Sequence, residues 1–234
     1  MPEPGNSAQS GLRSEPGKQD TGPQQLAVSL DWVVSAAGYM QRSDLPAELQ
    51  QSTRPLTKAA VLIPLYWFED QWQVLFIRRV KNARDRHSGQ VAFPGGKCDP
   101  QDQDATATAL REAHEEVGLE PAEVKVIHTL EDYRTSSNFI VTPVVGVVPW
   151  PYPYRAQLTE VDRIFSFPLN WLANQSNVQL KKRELSDGSV SDTLKVVYYD
   201  QFDGELLWGA SARMTLALLN ALRTGDLELE PREP

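Results

Sequence analysis

Three glutamates, Glu112, Glu115 and Glu116, crowd the run "FPGGKCDPQDQDATATALREAHEEVGLE", residues 93–120. Two adjacent glycines, Gly95 and Gly96, precede them, and Asp99, Asp102 and Asp104 lie between. On a helix over 104–117, at about 100° per residue, all three glutamates project within roughly 60° of Glu112. Leu110, Ala113 and Val117 fall on a separate apolar stripe that can pack inward. Like charges one turn apart destabilise a helix by about 0.2–0.5 kcal/mol per exposed pair. At an effective dielectric near 20 the repulsion rises to about 3 kcal/mol. Something cationic has to compensate. Arg111 can hold one carboxylate in a bidentate pair. The remainder suits a hard divalent cation, Mg²⁺ or Mn²⁺, which takes oxygen ligands and keeps positions open for substrate phosphates. Alone, the triplet also fits a solvated helical face. The glycine pair shifts the reading, because a sharp bend there can bring a Gly carbonyl to a metal.

The elements that would position these groups can be read around them. Asp104 stands where an N-cap belongs, and Gly118 where a left-handed C-cap with Leu119 packed behind it belongs. Upstream, "AAVLIPLYWF" (59–68) and "WQVLFIRR" (72–79) flank a tight link and read as a β-hairpin. A short strand at 90–93 leads into the glycines. Further strands are expected at about 123–131, 138–148, 160–167, 177–184 and 193–199. A short helix falls at "PLNWLANQ" and an amphipathic one at 209–222. Two helical segments, about 26–40 and 44–51, precede this core. The pattern predicts an α/β fold, an α/β/α sandwich around a mixed β-sheet, and not a regular βαβ series.

Composition removes several function classes. The chain has 234 residues, 31 acidic against 23 basic side chains, and a formal charge of -8. Such a surface argues against general nucleic-acid binding. No apolar run approaches the roughly 20 residues of a membrane span. The single cysteine, Cys98, excludes an intramolecular disulfide and suits a reducing compartment. Residues 1–25 hold four Pro and four Gly, with Met1, Ala8 and Leu12 as their apolar side chains, and are expected to be a disordered tail. They contain no apolar signal-peptide region, so a cytoplasmic location is expected. The expected organisation is this tail, a helical extension over 26–55, a catalytic domain over 56–225 and a short C-terminal tail over 226–234. Arg78, Arg79, Arg84 and Arg86 form a local basic group that could face phosphates, and Trp150 and Trp208 could stack on a base.

The central run resembles the Nudix hydrolase box: Gly, five residues, Glu, seven residues, then Arg-Glu-aliphatic-x-Glu-Glu-x-Gly-aliphatic. Gly96 is the first glycine and "REAHEEVGL" (111–119) fits the end, with Asp102 at the first Glu position and eight residues before Arg111. "HSGQVAFPGGKCD" (87–99), "SSNFIVTPVVGVV" (136–148), "EVDRIFSFPLNWL" (160–172) and "WGASARM" (208–214) are similar to segments of the coenzyme A pyrophosphatase-like subgroup. In that subgroup's upstream motif Arg79, Gly89 and "FPGG" align, while Val80 and Lys81 replace Ser-Ala. Asp85 occupies the second Arg position, between Arg84 and Arg86.

The resemblance implies hydrolysis of a nucleoside diphosphate linked to another moiety, with Mg²⁺ or Mn²⁺ as cofactor. It implies coenzyme A or acyl-coenzyme A as substrate, cleaved to 3',5'-ADP and (acyl-)4'-phosphopantetheine. ADP-ribose, NADH and oxidised nucleotides stay open as alternatives, as does a non-catalytic nucleotide-sensing role. It assigns Glu112, Glu115 and Glu116 to the metal, with the Gly96 carbonyl as a further ligand. Arg111 orients a carboxylate, and Arg79, Arg84 and Arg86 bind substrate. A glutamate ligand, a loop carboxylate or Glu160 would be the base. The expected partner is a nucleotide-type small molecule, with no nucleic acid and no membrane, and a homodimer is left open.

Overall fold

The computed structural model describes residues 29–33, 55–81, 88–135, 137–184 and 190–230. The 1–25 tail, most of the 26–55 extension, Arg84, Arg86 and the last four residues lie outside them. Residues 31–33 of the first expected helix are helical, and Leu30 and Val33 are buried in the core.

The frame is a hairpin of β1 (Thr57–Phe68) and β2 (Gln71–Arg79). Phe68 pairs with Gln71, so two residues turn the chain. Glu69 and Asp70 both take positive φ, 50° and 56°, the conformation of a type I′ turn that matches strand twist. Short strands β3 (Val91–Ala92) and β4 (Gly95–Lys97) follow, then helix α1 (Ala105–Val117). Next come β5 (Lys125–Thr129), β6 (Tyr133–Arg134), β7 (Phe139–Val147) and β8 (Val161–Pro168). A single helical turn, α2 (Leu169–Leu172), leads to β9 (Val178–Glu184), β10 (Val190–Phe202) and β11 (Glu205–Trp208), and α3 (Gly209–Thr224) follows.

The main sheet runs β3-β2-β1-β7-β5, with β4 and β6 added to β1 and β7, and β8 to β2. It is mixed: β1 is parallel to β7, with Thr57 opposite Phe139 and Leu65 opposite Val147, and antiparallel to β2. Strand periodicity divides its side chains between two cores. Ala60, Leu62, Leu75 and Ile77 meet Ala109, Ala113 and Val117 of α1 on one face. Ala59, Ile63, Val74 and Phe76 join the layer containing Phe167, Leu216 and Leu219 on the other. Burial on both faces explains why β1 and β2 read as near-continuous apolar runs. Each fully buried Leu or Ile contributes about 1.5–3 kcal/mol.

The architecture is the expected α/β/α sandwich, with one difference. β9 and β10 do not extend the mixed sheet but form a separate antiparallel sheet, β11-β10-β9. Its third strand, β11, falls in a stretch to which the sequence pattern assigns no element, between the strand expected at 193–199 and the helix expected from 209. Val197, Tyr199 and Leu207 point from this small sheet into the second core and tie it down.

Candidate active site

Helix α1 begins and ends as its sequence dictates. The Asp104 carboxylate accepts the Ala107 N–H at 2.8 Å. At the other end Gly118 has φ 68°, its N–H reaches His114 O, and the Leu119 N–H reaches Ala113 O. Fully buried Leu119 completes the stop. These caps fix the helix against β1 and β4, and so fix where its glutamates emerge.

The three glutamates differ steeply in environment. Glu116 is buried, 2% exposed, whereas the side chains of Glu112 and Glu115 are 16% and 56% exposed. The three carboxylates share one helical face but not one environment, because β4 lies along the Glu116 end of the cluster. β4 pairs antiparallel with β1, Ala60 opposite Gly96 and Val61 opposite Gly95. A Cβ on Gly95 would sit 2.4 Å from the Ala60 carbonyl oxygen, and a Cβ on Gly96 2.4 Å from Glu112 Oε1. The glycine pair is required by these two close approaches, one to β1 and one to the carboxylate.

The backbone of the pair is also divided. The Cys98 N–H donates to Lys58 O and the Leu62 N–H to Pro94 O, so even-numbered residues of this stretch bond β1. The Gly95 N–H points the other way and donates to Glu116 Oε2 at 2.9 Å. By the same alternation the Gly95 carbonyl faces the carboxylates, and the Gly96 carbonyl, the ligand expected from the sequence, faces Ala60.

Burial pushes the Glu116 carboxyl up to about 7, against the opposing pull of the Gly95 N–H and of Arg79. Arg79 approaches Glu116 Oε1 with Nη1 at 3.8 Å. Burial also raises Glu112, opposed by its contact with Arg111. Glu115 and Glu160 add negative field to Glu112, and Glu160 also reaches Glu116. Exposed Glu160 is placed beside the cluster by its own carbonyl, which accepts the Val80 N–H at 2.8 Å.

Arg111 is the hub. Its Nε and Nη2 donate to the two Asp102 oxygens, both at 3.0 Å, in a fork-to-fork pair. Nη1 donates to Glu112 at 3.0 Å and Glu115 at 3.3 Å, and Nη2 also to Lys97 O at 3.0 Å. Asp102 in turn accepts the Asp99 N–H at 2.9 Å and the Thr108 hydroxyl at 2.8 Å. The guanidinium holds the Asp102 carboxyl well below the usual range, and Asp102 raises Arg111. Asp102 is thus the residue that anchors Arg111, a role the sequence did not assign to it.

Among the described residues no three Asp, Glu, His or Cys side chains converge at metal-binding spacing, and Arg111 Nη1 contacts both Glu112 and Glu115. The donor set nevertheless fits a hard divalent cation: it is all oxygen, and glycine leaves no Cβ between Glu112 and the β4 backbone. Arg78, read from the sequence with the basic group, belongs elsewhere. It points to the opposite face of the sheet, holding Asp162 and Glu205, each at 2.7 Å.

A family model described as the NUDIX domain matches residues 56–187, more than half of the chain. The chain belongs to the Nudix family. It is 37% identical over 155 residues, 66% of this chain and 74% of the relative, to "Uncharacterized Nudix hydrolase NudL" of Yersinia pestis (strain Pestoides F). The same figures hold for NudL of Yersinia pseudotuberculosis serotype O:3 (strain YPIII). Among solved structures, RenU, a Nudix hydrolase from M. smegmatis, is 16% identical with a TM-score of 0.49, covering 76% of this chain and 92% of its own. A MutT/nudix family protein from Enterococcus faecalis is 16% identical with a TM-score of 0.46, covering 81% and 74%. As a Nudix hydrolase the protein cleaves pyrophosphate linkages in nucleoside diphosphate derivatives. No helix among the described residues is long and apolar enough to cross a membrane.

Proposed function

We propose that this Nudix hydrolase is a cytoplasmic, divalent-metal-dependent pyrophosphatase for coenzyme A or acyl-coenzyme A, releasing 3',5'-ADP and (acyl-)4'-phosphopantetheine. The observation that carries the chemistry is the seating of Glu112 and Glu116 against the side-chain-free Gly95–Gly96 strand. What favours coenzyme A is the likeness of residues 87–99, 136–148, 160–172 and 208–214 to that subgroup.

Glu112, Glu115 and Glu116 would hold the Mg²⁺ or Mn²⁺, with the Gly95 carbonyl in the place first given to Gly96. When bound, the cation supplies positive charge to the pyrophosphate oxygens and acidifies the attacking water. Glu116, fixed by the Gly95 N–H, is a rigid ligand, and exposed Glu115 is the one free to rotate between Arg111 and the ligand position. Arg111 holds Glu112 in register through Asp102. Arg79, whose side chain is 32% exposed beside Glu116, is placed to neutralise a substrate phosphate. Glu160, exposed and not engaged by Arg111, would take the proton from the attacking water.

The test is a panel of coenzyme A, acyl-coenzyme A, NADH, ADP-ribose and oxidised dGTP with Mg²⁺ or Mn²⁺. Coenzyme A or its acyl form should give the highest kcat/KM, with 3',5'-ADP as product. A higher value for ADP-ribose or NADH overturns the substrate assignment, and inactivity on the whole panel favours nucleotide sensing.

A further inference from the structure

A cleft of about 380 Å³ opens on the far side of β2 from the acid cluster, between the end of β2 and β11. That size lies at the low end for small-molecule sites. Three features of its wall point to a ligand. Trp208 lines it, and the indole is backed by the Tyr198 ring, with centroids 5.5 Å apart and planes 5° from parallel. A rigid, supported aromatic face of this kind suits a planar base. The lining carboxylates Asp162 and Glu205 are both held by Arg78 at 2.7 Å, and Glu205 also by Arg163 at 2.8 Å, so their charge is matched inside the wall. Lys81 is the lining charge that makes no ion pair among the described residues. Gly89, at φ 70°, packs against it: a Cβ there would lie 3.4 Å from Lys81 Cγ, so the stem rests on a residue without a side chain.

The cleft and the acid cluster lie on either side of the same end of β2. Lys81 follows Arg79 by two residues, about 7 Å along an extended chain, and Arg79 reaches Glu116. A nucleotide with its pyrophosphate at Arg79 has the Lys81 rim of the cleft as a near neighbour along the chain.

We propose that this cleft holds the nucleoside 3'-phosphate end of the substrate, its base on Trp208 and its 3'-phosphate on Lys81. The inference rests on the pyrophosphatase reading and deepens it: it names the end of the molecule that is recognised and the residues that recognise it. Lys81 stands where the resembled subgroup carries a small residue, so this chain places a cation there of its own.

Binding separates the inference from the reading on which it rests. Calorimetric titration of the full chain with 3',5'-ADP and with 5'-AMP should show 3',5'-ADP binding at least tenfold more tightly. Lys81→Ala should bring the two affinities together and Lys81→Arg should keep most of the difference. Trp208→Leu should weaken both ligands at least fivefold. Equal affinity of the native protein for the two ligands overturns the inference, as does a preference that survives in Lys81→Ala. Undiminished binding of both ligands to Trp208→Leu overturns the base position. Coenzyme A hydrolysis is measured in parallel and judges only the pyrophosphatase reading: inactivity with the binding pattern intact removes that reading and leaves the nucleotide site standing.

Discussion

Glu116 and Glu205 are equally buried, each 2% exposed, yet they sit in opposite electrostatic situations. Glu205 accepts from two guanidinia, Arg78 at 2.7 Å and Arg163 at 2.8 Å, and so clamps β11 to the ends of β2 and β8. Glu116 has one backbone N–H and one guanidinium no closer than 3.8 Å, with Glu112 and Glu160 adding negative field. One is a matched ion group that joins two sheets. The other is a buried acid left short of positive charge, in a neighbourhood where Arg111 is already divided among Asp102, Glu112 and Glu115. Burial alone does not mark a site. Burial with charge left unmatched does.

The sharpest way to break this contrast is to neutralise each acid. Glu116→Gln should lower kcat at least about 100-fold, on the scale of losing a preorganised charge contact. It should also leave the metal-free protein at least as stable, because a poorly compensated buried charge is removed. Glu205→Ala should do the reverse. It costs about 3 kcal/mol in urea unfolding, the low end for a broken buried ion group because the guanidinia are about a third exposed. Its kcat per folded molecule should fall far less than that of Glu116→Gln. Loss of stability in Glu116→Gln comparable to that in Glu205→Ala would erase the distinction.

Stability against pH offers a second test. The folded carboxyl of Glu116 titrates at about 7 against an ordinary value of 4.5. Between these values the folded protein binds more protons than the unfolded chain, so stability is full below 4.5 and is lost as pH rises through about 7. The gap corresponds to about 3 kcal/mol. Metal-free protein should therefore lose stability over this range, and Mg²⁺ should restore it at about pH 8 far more than at about pH 5. Urea midpoints with and without chelator measure both, and Glu116→Gln should flatten the slope. An unchanged slope in that variant would assign the titration to another group.

How much of this was legible in the sequence depends on how local each cause is. The strands β1 and β2, the Asp104 cap and the Gly118 stop follow from neighbouring residues, and all were readable. The turn at Glu69–Asp70 was readable as tight, although neither residue is the glycine its positive φ favours. The ranking of the three glutamates by burial was not readable, because it depends on β4 lying along β1, a pairing of distant segments. Nor was the partner of Arg78: Glu205 is 127 positions away, on a short strand that the sequence pattern does not mark. The division between Gly95 and Gly96 depends on strand register, which sequence spacing does not specify. The chemistry was thus written in one short run, whereas the geometry that ranks its residues came from contacts across the fold.

A smaller effect is expected at Asp102. Asp102→Asn keeps the size of the side chain but removes the charge that holds Arg111 Nε and Nη2. Outer groups of this kind typically contribute 10–100-fold to activity or metal affinity, so a loss of roughly that size is expected, with weaker Mg²⁺ dependence. Activity within about twofold of the native protein would show that Glu112 and Lys97 O hold Arg111 without it.

The smallest change separates the acids that build the site from the acid that builds the helix. Asp104 is exposed, and its carboxylate serves the Ala107 N–H at the start of α1. Asp104→Ala should cost about 1 kcal/mol, the usual value of an N-cap, and lower the thermal midpoint by a few degrees. Because Asp102, two residues earlier, still holds Arg111, the kcat and the Mg²⁺ midpoint should stay close to native. If Asp104→Ala instead matched Asp102→Asn in activity, the loop and the first turn of α1 would act as one unit, and negative charge in this run could not be divided into structural and functional shares.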